Sequence, residues 1–108
     1  VTTSITGRTA LITGGGTGIG LGAAMRLAAD GAHVAICGRT AATLAAAIDK
    51  VTPLVGEGGS IRSIVADITV EDHVATAVAF ATEPTGGLDI VFANAGGSAH
   101  MGPIAEAD

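Results

Sequence analysis

Thr13-Gly14-Gly15-Gly16-Thr17-Gly18-Ile19-Gly20 follows a short apolar run, Ala10-Leu11-Ile12, and leads into an alanine-rich stretch from Ala23 to Ala29. The apolar run has the length of a strand, and the stretch beyond the glycines has helical spacing. A strand that ends in clustered glycines and reopens as a helix is a phosphate-binding element. Glycine lets the backbone take positive φ and lets an anion approach bare main chain. The helix that follows directs unpaired N–H groups and its positive dipole end at that anion. Counted from Gly14, the spacing departs from G-x-G-x-x-G, because Ile19 falls where the third glycine belongs. The cluster also lacks G-x-x-x-x-G-K-[ST], which disfavours a triphosphate-binding P-loop. The predicted role is to hold the diphosphate of a dinucleotide, against the plainer reading of a structural turn.

Outward from this corner the chain alternates. Val1–Gly7 reads as a polar leading arm and Arg8–Thr13 as a first strand, apolar enough to be buried on both faces. A helix over Gly18–Ala29, with Ile19, Ala23 and Leu27 on its apolar stripe, ends at Asp30-Gly31 with Gly31 in the C′ position. Ala32–Cys37 is the second strand, and Thr40 is a candidate N-cap for a helix over Ala41–Val51 that carries Leu44, Ala45 and Ile48. Pro53 and the Gly56–Gly59 run form a turn into a third strand, Ser60–Ala66, which Asp67-Ile68-Thr69 closes. A third helix, Val70–Thr82, keeps Val74, Ala77, Val78 and Ala81 on one side. Leu88–Ala93 is the fourth strand, and Ser98–Asp108 reads as loop.

Strands alternating with helices predict an α/β fold with a parallel sheet and crossover helices on both faces. Right-handed crossovers leave the doubly wound, Rossmann-like order 3-2-1-4, whose ligand crevice lies between the ends of strands 1 and 4. The 108 residues suit one domain, residues 1–108.

Composition narrows the partners. Net charge is −5, and Arg8, Arg26, Arg39, Lys50 and Arg62 are the only strong cations and never cluster, which disfavours nucleic acid. No apolar run approaches the ~20 residues of a membrane helix. The single cysteine, Cys37, has no internal partner for a disulfide, and the start shows no signal-peptide pattern, so a cytoplasmic chain is expected. Metal binding is not expected, because His33, His73 and His100 have no ligand spacing and neither H-E-x-x-H nor C-x-x-C occurs. Cys37, in a buried strand without a basic neighbour, reads as a small core hydrophobe and His100 as a loop histidine.

The pattern T-G-x-x-x-G-x-G from Thr13 to Gly20, Asp67 after the third strand and Asn94-Ala95-Gly96 after the fourth resemble the short-chain dehydrogenase/reductase family. The resemblance runs through the whole chain in order, and two motifs in register make it specific. It implies an NAD- or NADP-dependent oxidoreductase acting on small alcohols and carbonyls, of which this chain supplies the cofactor-binding part. Carried over, Gly14, Gly16, Thr17, Gly18, Ile19 and Gly20 would line the diphosphate and the nicotinamide ribose. Ala66, Asp67 and Ile68 would hold the adenine, with the carboxylate accepting from its exocyclic amine. Asn94, Ala95 and Gly96 would border the adenosine ribose and brace the sheet centre, or simply end the strand.

The end of the second strand bears on the cofactor. An NAD enzyme places a carboxylate about 20 residues past the glycines for the ribose 2′-hydroxyl. Gly38 stands there, followed by Arg39, whose guanidinium can pair with a 2′-phosphate. NADP(H) is therefore expected over NAD(H), although the second basic residue of NADP-using relatives would fall at Thr17 and is missing. The family's catalytic tyrosine, lysine and serine have no counterparts: the chain has no tyrosine, and Lys50 lies on a helix away from the crevice. No catalytic residue is assigned, and the chain reads as an incomplete member lacking strands 5 onward, homo-oligomeric when full length. The alternatives are a non-catalytic dinucleotide-binding module of the same fold and, less well matched at Gly38-Arg39, an S-adenosylmethionine-dependent methyltransferase.

Overall fold

β1 (Thr9–Thr13) runs through the middle of the sheet and is buried at every position. In the computed structural model, which describes residues 5–94, it pairs in parallel with β2 (His33–Gly38) on one side and β4 (Ile90–Ala93) on the other. β3 (Ser60–Val65) adds to the outer edge of β2, giving the expected order β3-β2-β1-β4. Residues alternate between two cores, as the two-residue period of a strand requires. Ala10, Ile12, Val34 and Ile36 pack under α1 (Gly18–Ala29) and α2 (Ala41–Val51). Leu11, Ala35 and Cys37 pack under α3 (Glu71–Thr82) on the other face. Helices on both faces complete the doubly wound, Rossmann-like arrangement.

The helical stripes follow the apolar pattern only in part. On α1 the buried line is Gly20, Ala24 and Ala28, one residue round from the expected one, and Ile19 is 71% exposed. On α2 the buried line is Leu44, Ala47 and Val51, and Ala45 is exposed. Val74 of α3 is exposed, whereas Ala77 and Ala81 are buried. On α1 and α3 the smallest residues face the sheet, because close approach of helix axis to strand needs small side chains at the contact, whereas α2 buries Leu44 and Val51 with Ala47. The end of α1 follows expectation: Gly31, at φ +93°, donates to the Ala28 carbonyl while Ala32 N–H reaches the Leu27 carbonyl, a Schellman closure.

β4 is shorter than the expected Leu88–Ala93. Ahead of it, the Asp89 N–H donates to the Thr9 carbonyl at 2.9 Å while the Asp89 carboxylate accepts the Thr9 N–H at 3.0 Å. A side chain thus replaces the first rung of the ladder. Thr40 occupies the N-cap position of α2 with extended geometry but makes no side-chain cap.

Two glycines of α1 separate packing from propensity. A Cβ on Gly20 would collide with the Gly14 carbonyl oxygen, whereas one on Gly22 meets nothing within 4 Å. Gly22→Ala should therefore stabilise the fold by about 0.5–1 kcal/mol. Gly20→Ala should destabilise it by about 1–3 kcal/mol, as overpacking does. Opposite shifts of the two variants in thermal unfolding check the pair.

Candidate functional site

The carboxyl ends of the strands converge on the glycine corner. Gly14 leaves β1 at φ +66°, a conformation costly for any residue with a Cβ, and its N–H donates to the Cys37 carbonyl at 2.9 Å. Gly20, in the first turn of α1, packs directly on the Gly14 carbonyl. Asn94 closes the corner from β4: its Nδ2 donates to the Gly14 carbonyl at 3.4 Å, and its N–H donates to the Thr13 hydroxyl at 2.9 Å. Asn94 thus ties the end of β4 to the end of β1.

The amino end of α1 is open. Thr17 is the N-cap residue but caps nothing with its side chain, and the N–H groups of Gly18, Ile19 and Gly20 have no partner among the described residues. Beside Gly18 a Cβ would meet nothing within 4 Å, so this turn presents bare main chain. Donors of this kind, with the helix dipole behind them, suit an anion.

Two adjoining cavities extend from this corner and share Gly14, Gly38 and Arg39. One, of about 290 Å³, runs between β2 and β3 ends and is lined by Cys37, Ala66, Asp67, Ile68, Thr69 and Asn94 as well. The other, of about 250 Å³, lies between the glycine turn and α2, with Gly16, Thr17, Thr40 and Thr43 on its walls. Their chemistry differs. The first is mainly apolar and holds the Asp67 carboxylate, the second is lined mostly by threonines and glycine main chain, and Arg39 borders both.

Asp67 is held by its own turn. Its Oδ1 accepts both the Thr69 hydroxyl at 2.6 Å and the Thr69 N–H at 2.9 Å, and Oδ2 has no partner among the described residues. These Thr69 bonds, the hydroxyl's first, hold the carboxyl below the ordinary range, with smaller help from the Arg39 charge. The Asp67 N–H donates to His73 Nδ1 at 2.9 Å. Arg8, Arg26 and Arg62 are engaged in ion pairs with Asp89, Asp30 and Glu83, whereas Arg39 makes none among the described residues. Burial raises the Cys37 thiol, in keeping with a packing role. No group of three or more potential ligands among the described residues could hold a metal, and no described helix is long and apolar enough to cross a membrane.

Of the residues singled out from the sequence, Gly14, Gly16, Thr17, Gly38, Arg39, Ala66, Asp67, Ile68 and Asn94 line the two cavities. Gly18, Ile19 and Gly20 form the open helix end beside them. Ala95 and Gly96 lie outside the described residues. Thr43, Thr69 and His73 were not expected at the site. Thr69 was within reach of sequence reasoning, since an aspartate two residues before a threonine is a ready turn. Thr43 and His73 come from helix positions whose aim depends on how each helix docks.

The short chain dehydrogenase family matches residues 8–108 of this chain. Glucose 1-dehydrogenase of Gluconobacter oxydans is 39% identical over 90 residues, 83% of this chain and 33% of that protein. A short-chain type dehydrogenase/reductase from Mycobacterium ulcerans superposes with a TM-score of 0.84 at 47% identity, over 89% of this chain and 35% of the other. NAD+-bound xylitol dehydrogenase superposes with a TM-score of 0.73 at 31% identity, over 82% and 33% of the two chains. A Rossmann-like sheet with its glycine corner and this breadth of similarity place the chain in the short-chain dehydrogenase/reductase family. It spans about a third of the length of these relatives.

Two measurements test the site as built. Thr13→Val keeps the shape of the side chain but strips the Asn94 N–H of its acceptor, and should cost about 1–2 kcal/mol in denaturant unfolding. A carboxyl NMR titration of Asp67 should show a midpoint below that of an ordinary aspartate. A depressed folded value means the charged form is favoured by folding above the unfolded value and that this gain fades as pH falls through the folded one. Thr69→Val, which removes the larger of the two Thr69 bonds, should move the midpoint upward while leaving it short of the ordinary value.

Proposed function

We propose that these residues form the cofactor-binding part of an NAD(P)-dependent oxidoreductase that interconverts a small alcohol and a carbonyl compound, with NADP(H) preferred. Family membership and the fit of the site to a dinucleotide support the reading. The open N–H groups of Gly18, Ile19 and Gly20 suit the diphosphate, and the apolar cavity with Asp67 suits an adenine. Bound there, the nicotinamide supplies or accepts the hydride. The residues of this chain bind and orient: Asp67 Oδ2 is free to accept from the adenine amine, and Asn94 fixes the Gly14 carbonyl that borders both cavities.

The preference for NADP(H) rests on one observation. Arg39 is an exposed guanidinium with no ion pair among the described residues, on a cavity wall shared with Thr40 and Thr43. Gly38 occupies the position where a carboxylate would repel a 2′-phosphate. Two hydroxyls and a planar cation can surround a phosphate with charge-assisted bonds. The NAD+-bound relative shows that the same fold also serves the cofactor without that phosphate, so the choice falls to these side chains.

Substrate, partners and the proton-transfer groups would lie in the parts of the relatives that this chain does not span. Arg39→Ala should weaken NADPH binding about 10- to 100-fold, the loss of a charge-assisted contact, and leave NADH within about twofold. Fluorescence titration of both reduced cofactors reads the ratio; an unchanged NADPH/NADH preference overturns the assignment.

A further inference from the structure

His73 stands in the first turn of α3, where a solvated polar side chain is the ordinary expectation. Instead its ring folds back over six residues, and Nδ1 accepts the Asp67 N–H at 2.9 Å. To accept there, the ring must carry its proton on Nε2. That bond is one of four that tie the Asp67–Val70 turn. The Val70 N–H donates to the Asp67 carbonyl at 2.9 Å, and the Thr69 N–H and hydroxyl both donate to Asp67 Oδ1. Just before the turn, the Ala66 N–H donates to the Gly38 carbonyl at 2.8 Å, the last bond between the ends of β2 and β3.

The other three turn bonds fix Asp67 relative to Thr69 and Val70, and the Val70 carbonyl in turn accepts the His73 and Val74 N–H groups in the first turn of α3. The His73 side chain adds a direct bond from the Asp67 N–H to α3, which packs on the sheet through Ala77 and Ala81. Without it, the Asp67 peptide is held only through the turn, between the Ala66 rung and the Val70 end, and the carboxylate has more room to shift.

We propose that His73 is a positioning residue for the adenine end of the cleft: through Nδ1 it holds the Asp67 peptide so that the carboxylate stays on the cavity wall. The proposal rests on reading that cavity as the adenine site. An exposed hydrogen bond of this kind is modest, so its loss should weaken adenine-nucleotide binding by about three- to tenfold.

The test compares His73→Leu, which removes the acceptor, with His73→Asn, whose Oδ1 sits close to where Nδ1 was. The probes are 5′-ADP, which carries the adenine, and inorganic pyrophosphate, which does not, each titrated by amide NMR on the intact chain. Expected are weaker 5′-ADP binding in His73→Leu, recovery to within about twofold in His73→Asn, and unchanged pyrophosphate binding in both. Without ligand, the Asp67 amide should exchange faster in His73→Leu only. Unaltered 5′-ADP binding in His73→Leu, equal weakening in the two variants, or parallel loss of pyrophosphate binding each overturns the role of His73. Failure of the wild-type chain to bind 5′-ADP is a different result: it removes the adenine reading itself, and the positioning role falls with it.

Discussion

Helix α1 meets the sheet through main chain. Gly20 lies on the Gly14 carbonyl with no side chain between them, and Gly15 and Gly16 come as close to Ile36 and Thr43. Any Cβ at these contacts would have to lift the helix or displace a strand end, because packed interiors do not absorb even a methyl group freely. Two consequences come from the same contact. The helix is seated low enough for Ala24 and Ala28 to fill the space over β1, and its first N–H groups stay open beside the strand end. Seating the helix and exposing the donors are therefore one structural feature, and Asn94 reinforces it by bonding the Gly14 carbonyl that Gly20 touches.

The same contact explains what the sequence does and does not reveal. The four strands were legible because a parallel sheet covered on both faces asks for continuous apolar runs, and Ala10-Leu11-Ile12 and Val34-Ala35-Ile36-Cys37 supply them. The order 3-2-1-4 was legible because few connections are open to an alternating chain. The helical faces were legible in part: Leu44, Ala77 and Ala81 are buried as expected, but apolarity also singles out Ile19 and Val74, while the distance between α1 and the sheet singles out Gly20. Where closeness of approach controls packing, the smallest residues mark the buried face and hydrophobicity misleads. β4 was overestimated for a related reason: Leu88 looks like strand, but the Asp89 carboxylate has taken over the bond to Thr9.

At the site, the legible residues stand at strand ends. A residue at the carboxyl end of a parallel strand is carried to the crevice by topology alone, so Gly14, Arg39, Asp67 and Asn94 could be placed without knowing any angle. Thr43 and His73 ride on helices. Their aim depends on the crossing angle of α2 and on the first turn of α3, neither of which the local sequence specifies. Both reach main-chain positions of the cleft, Thr43 with its methyl group against Gly16 and His73 with Nδ1 against the Asp67 N–H.

The cleft is polarised along its length, although the chain as a whole carries −5. Open N–H groups lie beside it at the start of α1, hydroxyl-bearing residues on the α2 side, a carboxylate among apolar side chains on the β3 side, and the Arg39 cation borders both. A nucleotide has a matching order: phosphate carries the charge, and the base offers an amine donor on an apolar ring. Arg39 lines both cavities, so its charge is shared between them, and its field is one of the influences that keep Asp67 ionised. An aspartate that became neutral would be a poorer acceptor for an amine, and one that paired outright with Arg39 would withdraw the guanidinium from a phosphate. Thr69 works against the first: by occupying Oδ1 with two donors it stabilises the charge locally, and Asp67 makes no ion pair among the described residues.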